Sequence, residues 1–240
     1  MKQSGSQPIM AKSKIDLVPK LWAVMPVKNF DKAKERLSPF LTRDERKALF
    51  GAMVEDILET LAHSRGLAGI LVVTCDPDAI KLAKRYGCET LIEEANAGHS
   101  AASSFGAEAL AANHIAGMIQ IPGDLPALTA ADIEAALSAH GDAPSITIAP
   151  SRDEFGSNAV VCSPPNLLPF HFGDDSFSLH LDKARRLGVE PVILRRPGFA
   201  LDIDTADDLR AFLDAPRQGR TLAYLNKSGI VKRLMTEAEG

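Results

Sequence analysis

Ile119-Gln-Ile-Pro-Gly-Asp-Leu-Pro-Ala-Leu128 is a short apolar run that stops at Pro122-Gly123 and then presents one carboxylate, Asp124. With Met118 in front of it, the run has the continuous apolar character of a strand buried on both faces of a parallel sheet. Ligands of open α/β sheets collect just beyond the carboxyl ends of such strands, which places Asp124 to hold a divalent metal. The same residue could instead cap a turn or the helix that follows, a common use of Asp beside Gly and Pro.

On the N-terminal side, Leu21-Trp-Ala-Val-Met-Pro-Val27 is a second apolar run and predicts a buried first strand. It leads into residues 28–38, a loop that crowds Lys28, Lys32, Lys34 and Arg36 at the carboxyl end of that strand. Such a loop can grip a polyphosphate, or it can be a solvated charged segment. Thr42-Arg-Asp-Glu45 has the capping-box pattern, and Leu49, Met53, Ile57, Leu58 and Leu61 continue it as a long amphipathic helix. Residues 69–74 read as a strand, Asp76-Pro77 opens a helix that Gly87 ends, and residues 88–92 read as another strand. That alternation is the mark of a parallel sheet with right-handed crossovers. The polar loop after it ends in Gly98-His99-Ser100 and enters an Ala-rich helix running to about Ala112. Its first amides could meet a base or a phosphate, or Ser100 could simply cap the helix. Neither the Gly-x-x-x-x-Gly-Lys-Ser/Thr loop nor the Gly-x-Gly-x-x-Gly fingerprint occurs.

On the C-terminal side, Thr129 is placed to cap a helix, and residues 145–149 and 158–162 are short strands around a charged loop ending in Gly156-Ser157. Phe172-Gly-Asp-Asp-Ser-Phe-Ser-Leu-His180 reads as a glycine turn into a helix capped by Ser176, either an anion nest or an ordinary helix start. In the extended segment that follows Phe199, Asp202 and Asp204 fall on one face because side chains alternate. Two carboxylates so placed repel unless a cation joins them, and Mg²⁺ prefers such oxygen ligands. The rival view sends one acid to solvent while Thr205 caps the next helix. Leu222, Leu225, Ile230 and Leu234 form a last helical pattern, interrupted at Gly229, that packs on the sheet or on a second subunit of a homodimer. His63, His99, His114, His140, His171 and His180 show no metal-ligand spacing and read mostly as surface or packing residues.

Composition sets the outer limits. The 240 residues carry 45% hydrophobic and 24% charged side chains, ordinary globular values, and no internal linker divides them. We expect a flexible tail over 1–19, one α/β domain over 20–213 and a helical extension over 214–240. The net charge of −4 offers no general field for nucleic acid, so an anionic ligand must be held by a local cluster. Cys75, Cys88 and Cys162 form no paired motif, and neither a membrane span nor a signal peptide is visible, so the expected location is the cytoplasm.

Pro26-Val-Lys28 with Ala33-Lys-Glu-Arg-Leu-Ser38, Gly123-Asp-Leu-Pro126, Gly156-Ser-Asn158, Phe172-Gly-Asp-Asp-Ser-Phe177 with His180, and Leu201-Asp-Ile-Asp-Thr205 together resemble the 2-phospho-lactate guanylyltransferases (CofC/FbiD) across residues 20 to 213. The resemblance implies a Rossmann-like nucleotidyltransferase fold of the GT-A-like nucleotide-diphospho-sugar transferase type, with a mostly parallel sheet covered by helices on both faces. It implies transfer of GMP from GTP onto the phosphate of phospholactate, phosphoenolpyruvate or 3-phosphoglycerate, in synthesis of the deazaflavin coenzyme F-420. Carried over by position, Asp124, Asp202 and Asp204 would hold two Mg²⁺ ions. Lys28 and Arg36 would neutralise the triphosphate, Gly98, His99 and Ser100 would meet the nucleotide, and Ser157, Asn158, Gly173 and Ser176 would seat the acceptor. The chain departs from the family's usual Gly-Leu-Asn at Gly98-His99-Ser100 and from Gly-Thr-Asn at Gly156-Ser157-Asn158. Rival readings are a sugar-nucleotide pyrophosphorylase or glycosyltransferase on the same core, and a nucleotide sensor without turnover.

Overall fold

Apolar runs bounded by turn residues become strands here, and capped amphipathic segments become helices. The computed structural model describes residues 21–94, 97–214 and 218–237; the tail expected over 1–19 lies outside them. In chain order, β1 (Leu21–Pro26) leads through two 3-10 turns (Phe30–Lys32 and Glu35–Leu37) to α1 (Arg43–His63), β2 (Leu67–Thr74), α2 (Pro77–Arg85), β3 (Glu89–Ile92) and α3 (His99–Ala112). Then come β4 (Met118–Gln120), α4 (Ala130–Ala139), β5 (Ser145–Pro150), β6 (Ser157–Ser163) and α5 (Ser176–Arg186). The chain finishes with β7 (Val192–Ile193), α6 (Pro197–Ala200), α7 (Ala206–Leu213), α8 (Arg220–Lys227) and α9 (Ile230–Glu237). Thr42, Thr129 and Thr205 each close a full capping box, with Glu45, Asp132 and Asp208 answering from the third helical position.

The seven strands form one sheet in the order β3-β2-β1-β4-β6-β5-β7. β1 runs parallel to both β2 and β4, β3 is parallel to β2, and β7 is parallel to β5. β6 alone reverses, pairing antiparallel with β4 and β5. The connections leave β1 in opposite directions, so the gap beyond the carboxyl ends of β1 and β4 is the switch point where such sheets bind ligands.

Helices cover both faces. α1, α2, α4 and α6 to α9 pack on one side, contributing Leu49, Leu58, Ile133, Phe199, Leu209 and Phe212 to a core with Ala23, Met25 and Ile119 of the sheet. α3 and α5 cover the other, where Ala107, Leu110, Phe177 and Ala184 meet Val24, Val73, Met118 and Val160. The terminal pattern forms α8 and α9, whose Leu225, Ile230 and Leu234 are buried in the first of these cores. It packs on α1 rather than on the sheet: the amides of Arg220 and Thr221 donate to Asp56 at 2.7 and 2.9 Å. No helix among the described residues is long and apolar enough to cross a membrane.

Candidate active site

The loop after β1 is held down by its own apolar residues. Phe30, Ala33 and Leu37 are buried, Phe30 packs edge-on against Phe50 of α1 at 5.3 Å, and the Phe30 amide donates to buried Asp76 at 2.9 Å. Between these anchors the backbone of Lys34 turns left-handed (φ 55, ψ 42), and its side chain enters the gap at the switch point. Its Nζ lies 2.7 Å from Asp124 and 2.8 Å from Asp204, with only 4% of the side chain exposed. Burial alone would lower the ammonium's pKa, but Asp124 and Asp204 outweigh it and hold the group above the ordinary lysine value. Lys28 and Arg36 stand further out on the same cleft, and Arg36 reaches Asp204 at 3.6 Å from a side chain 72% exposed.

The acids converge because two segments are stitched together. The Ile203 amide donates to the Asp124 carbonyl at 3.1 Å. Leu201 and Ile203 are buried in the core, so the alternation of the extended segment turns Asp202 and Asp204 to the cleft. Burial would raise Asp204, yet Lys34 and, less directly, Arg36 and Lys28 hold it below the usual carboxylate range. Asp202 moves the other way: burial first, then the charge of Asp124, push it up, and its hydrogen bond from Asn158 Nδ2 at 3.1 Å only partly offsets them. Among the described residues no Lys or Arg pairs with it.

Ser157, Gly173 and Ser176 form the opposite wall. Ser176 does not cap α5, contrary to expectation. Asp175, in a left-handed conformation, takes the cap position without a side-chain bond, and Ser176 is the first helical residue, its Oγ accepting the Ser157 amide at 2.9 Å. Gly173 sits at φ 127, where a side chain would be strained, while Asp174 and Asp175 remain exposed. Asn158, expected to seat a substrate, is turned inward: Nδ2 donates to the Phe199 carbonyl at 2.8 Å and to Asp202. It orients an acid and has no spare amide hydrogen.

Gly98, His99 and Ser100 reach the cleft from the start of α3. Ser100 does not cap that helix. Gly98 holds the cap position, and Ser100 Oγ accepts the Phe172 amide at 2.8 Å, tying the two walls together. His99 lies 2.8 Å from the Gln120 amide nitrogen on β4 and edge-on to Phe172 at 4.6 Å. Burial, with Lys28 and Lys34 nearby, pushes it down to about 4 despite Asp124, so the ring is neutral. His180 is buried behind Ser157. The reading of most histidines as surface or packing residues therefore passes over His180, whereas His99 lines the cleft as expected, and the reading of the basic loop leaves Lys34 undistinguished from its neighbours. Apolar Ala33 and Leu37 on either side of it are the available signal that it faces inward.

The whole cleft measures about 960 Å³, room for a nucleotide and a small acid, and every residue expected at the site lines it. As a metal site it is incomplete: among the described residues no group of three or more His, Cys, Asp or Glu is gathered closely enough to ligate an ion. The ammonium of Lys34 stands between Asp124 and Asp204, where a shared cation was expected. The all-oxygen donor set is nevertheless of the kind Mg²⁺ takes, and Asp202, raised by burial beside other carboxylates, is the group a cation would relieve.

Comparison with known proteins identifies a family. Residues 21–238 match the family described as guanylyl transferase CofC like. The chain is 35% identical over 189 residues to a phosphoenolpyruvate guanylyltransferase of Rubrobacter xylanophilus, covering 79% of this chain and 91% of that protein. It is 32% identical over 208 residues to a 2-phospho-L-lactate guanylyltransferase of Methanothermobacter thermautotrophicus, covering 87% and 91%. Its fold resembles a crystal structure from Desulfovibrio desulfuricans G20 described as a nucleotide-diphospho-sugar transferase, with a TM-score of 0.72, 18% identity and coverage of 89% and 97%.

Proposed function

The chain belongs to the guanylyl transferase CofC-like family, and from that premise we propose that it moves GMP from GTP onto the phosphate of 2-phospholactate, phosphoenolpyruvate or 3-phosphoglycerate and releases pyrophosphate. The observation that carries this reading is the two-sided cleft: cations and acids at the ends of β1 and β4 face a wall of neutral hydroxyls at Ser157 and Ser176. A highly charged triphosphate fits the first side and a small anion the second.

The acceptor phosphate oxygen attacks the α-phosphorus in line, the bond to the bridging oxygen of the β-phosphate breaks, and the electron pair leaves with pyrophosphate. No covalent enzyme intermediate forms. The acceptor phosphate is already ionised near neutral pH, so no general base is needed. Lys28 and Arg36 offset the charge of the triphosphate, and Lys34 fixes Asp124 and Asp204 in place. Mg²⁺ held by Asp202 with Asp124 and Asp204 would supply further charge neutralisation at the reacting phosphates. The activated acid then serves assembly of coenzyme F-420.

The test is a product mass measurement after incubation with GTP, Mg²⁺ and each acid in turn. A product heavier than the acid by one GMP unit, together with pyrophosphate, is expected. Removal of divalent ions should abolish turnover and added Mg²⁺ restore it. Binding of GTP without pyrophosphate release in any mixture would favour the sensor reading.

A further inference from the structure

His180 of α5 is fully buried, and both of its ring nitrogens have partners: Nε2 lies 3.0 Å from the backbone nitrogen of His171 and Nδ1 2.9 Å from Ser157 Oγ. A backbone amide can only donate. Nε2 is therefore the acceptor, the ring carries its hydrogen on Nδ1, and Nδ1–H donates to the Ser157 hydroxyl oxygen. Burial first, then Lys183 and His171, hold the ring neutral by lowering its pKa to about 4. Ser176 Oγ is loaded in the same way, by the Ser157 amide at 2.9 Å. Each serine oxygen thus has a protein donor on one lone pair, and among the described residues no acceptor takes either hydroxyl hydrogen. Both residues are buried and border the cleft.

We propose that His180 is a positioning residue: by donating to Ser157 it turns the Ser157 hydroxyl hydrogen into the cleft, so that Ser157 and Ser176 meet an anionic group of the acceptor acid as paired donors. The role rests on the guanylyl-transfer reading. Removing the His180 bond leaves Ser157 Oγ free to spend its hydrogen elsewhere, and the acceptor loses an oriented, charge-assisted hydrogen bond.

Two substitutions separate positioning from packing. His180→Asn keeps a side-chain N–H near the place of Nδ1, whereas His180→Gln can reach the His171 amide with an oxygen but leaves Ser157 without its donor. With GTP, Mg²⁺ and the acid that yields product, His180→Gln should raise the acceptor KM about tenfold or more and leave the KM for GTP unchanged. His180→Asn should recover most of that loss. Adding His180→Gln to Ser157→Ala should cost nothing further, because both act through one bond. Harm from Asn but not Gln, losses that add to Ser157→Ala, or a raised KM for GTP would overturn the proposal. Nitrogen-detected imidazole spectra of the unaltered protein test the geometry without turnover: His180 should be protonated on Nδ1, and protonation on Nε2 would overturn it. Failure of every acid to give product overturns guanylyl transfer instead, while the spectra still decide the tautomer.

Discussion

Lys34 is held in a left-handed backbone conformation that costs a residue with a Cβ about 1–2 kcal/mol, and its ammonium is almost wholly removed from water. The structure tolerates both because Asp124 and Asp204 receive it within 2.8 Å. A buried ion pair is weak evidence of stability, since desolvation consumes most of the attraction, so the arrangement is better explained by the site than by the fold. Lys34→Met should cut kcat/KM by at least about 100-fold, the scale of losing one preorganised charge. The melting temperature should move little, because Asp124 and Asp204 are 24% and 37% exposed and water can screen them. Near-native turnover in this variant would return Lys34 to the rank of a structural cation. Asp124→Asn should be as damaging to turnover, measured in the same assay. The acids were legible from the strand that delivers Asp124 and the alternation at Asp202 and Asp204. Lys34 was not, since four cations in one loop look alike until the burial of Phe30, Ala33 and Leu37 decides which of them points inward.

α3 shows what a whole element contributes. It carries His99 and Ser100 into the cleft, and it can do so only by lying close upon β1 and β2: a Cβ at Gly106 would fall 2.6 Å from Val24 Cγ1 and 3.0 Å from Val73 Cγ2. Helix propensity argues for Ala at this position by about 1 kcal/mol. Packing argues against it, for both valines are fully buried and stiff, and overpacking of this kind costs about 1–3 kcal/mol. Packing should win. Gly106→Ala is expected to lower the urea midpoint and, by lifting α3, to raise the KM for GTP more than that for the acid; a more stable variant would show that the helix is free to shift. Caps and periodicity made the helices readable, down to the box at Thr42 and the caps at Thr129 and Thr205, whose answering Asp132 and Asp208 the structure adds. They failed at Ser100 and Ser176, where serine at a helix start binds another segment's backbone instead of its own, a tertiary choice that local pattern does not encode.

The molecule as a whole is a sheet covered on both faces, with a cleft open beyond the carboxyl ends of β1 and β4, and the alternation of buried runs with capped helices was enough to indicate that much. The reversal at β6 and the docking of α8 and α9 on α1 were not indicated, because pairing direction and the partner of an apolar helix depend on segments far apart in the chain. The same long-range closure buries His180 and half-buries His99 and His140, all in neutral form. Each is lowered from 6.5 to about 4, mainly by loss of water, and His140 is held between Thr147 at 3.1 Å and Ser163 at 2.9 Å. Above pH 6.5 these rings are neutral folded and unfolded and contribute no pH dependence. As pH falls from 6.5 towards 4 the unfolded chain takes up protons that the folded chain refuses, so stability must decline across that window and level off below it. At about 1.4 kcal/mol per pH unit the limit is about 3 kcal/mol for each ring, against a total of about 5–15 kcal/mol for a protein of this kind. Asp202 and Glu93, raised by burial, act in the opposite sense, and the depressed Asp204 adds to the loss only below the ordinary carboxylate range, so the three histidines, with the larger shifts, dominate between pH 6.5 and 4.5. The urea midpoint should therefore fall steadily over that interval. His140→Gln, which removes the titration and keeps an amide in reach of the same hydroxyls, should flatten part of the slope. A wild-type midpoint constant from pH 7 to 4.5 would mean that these rings are charged, or wet, in the folded protein.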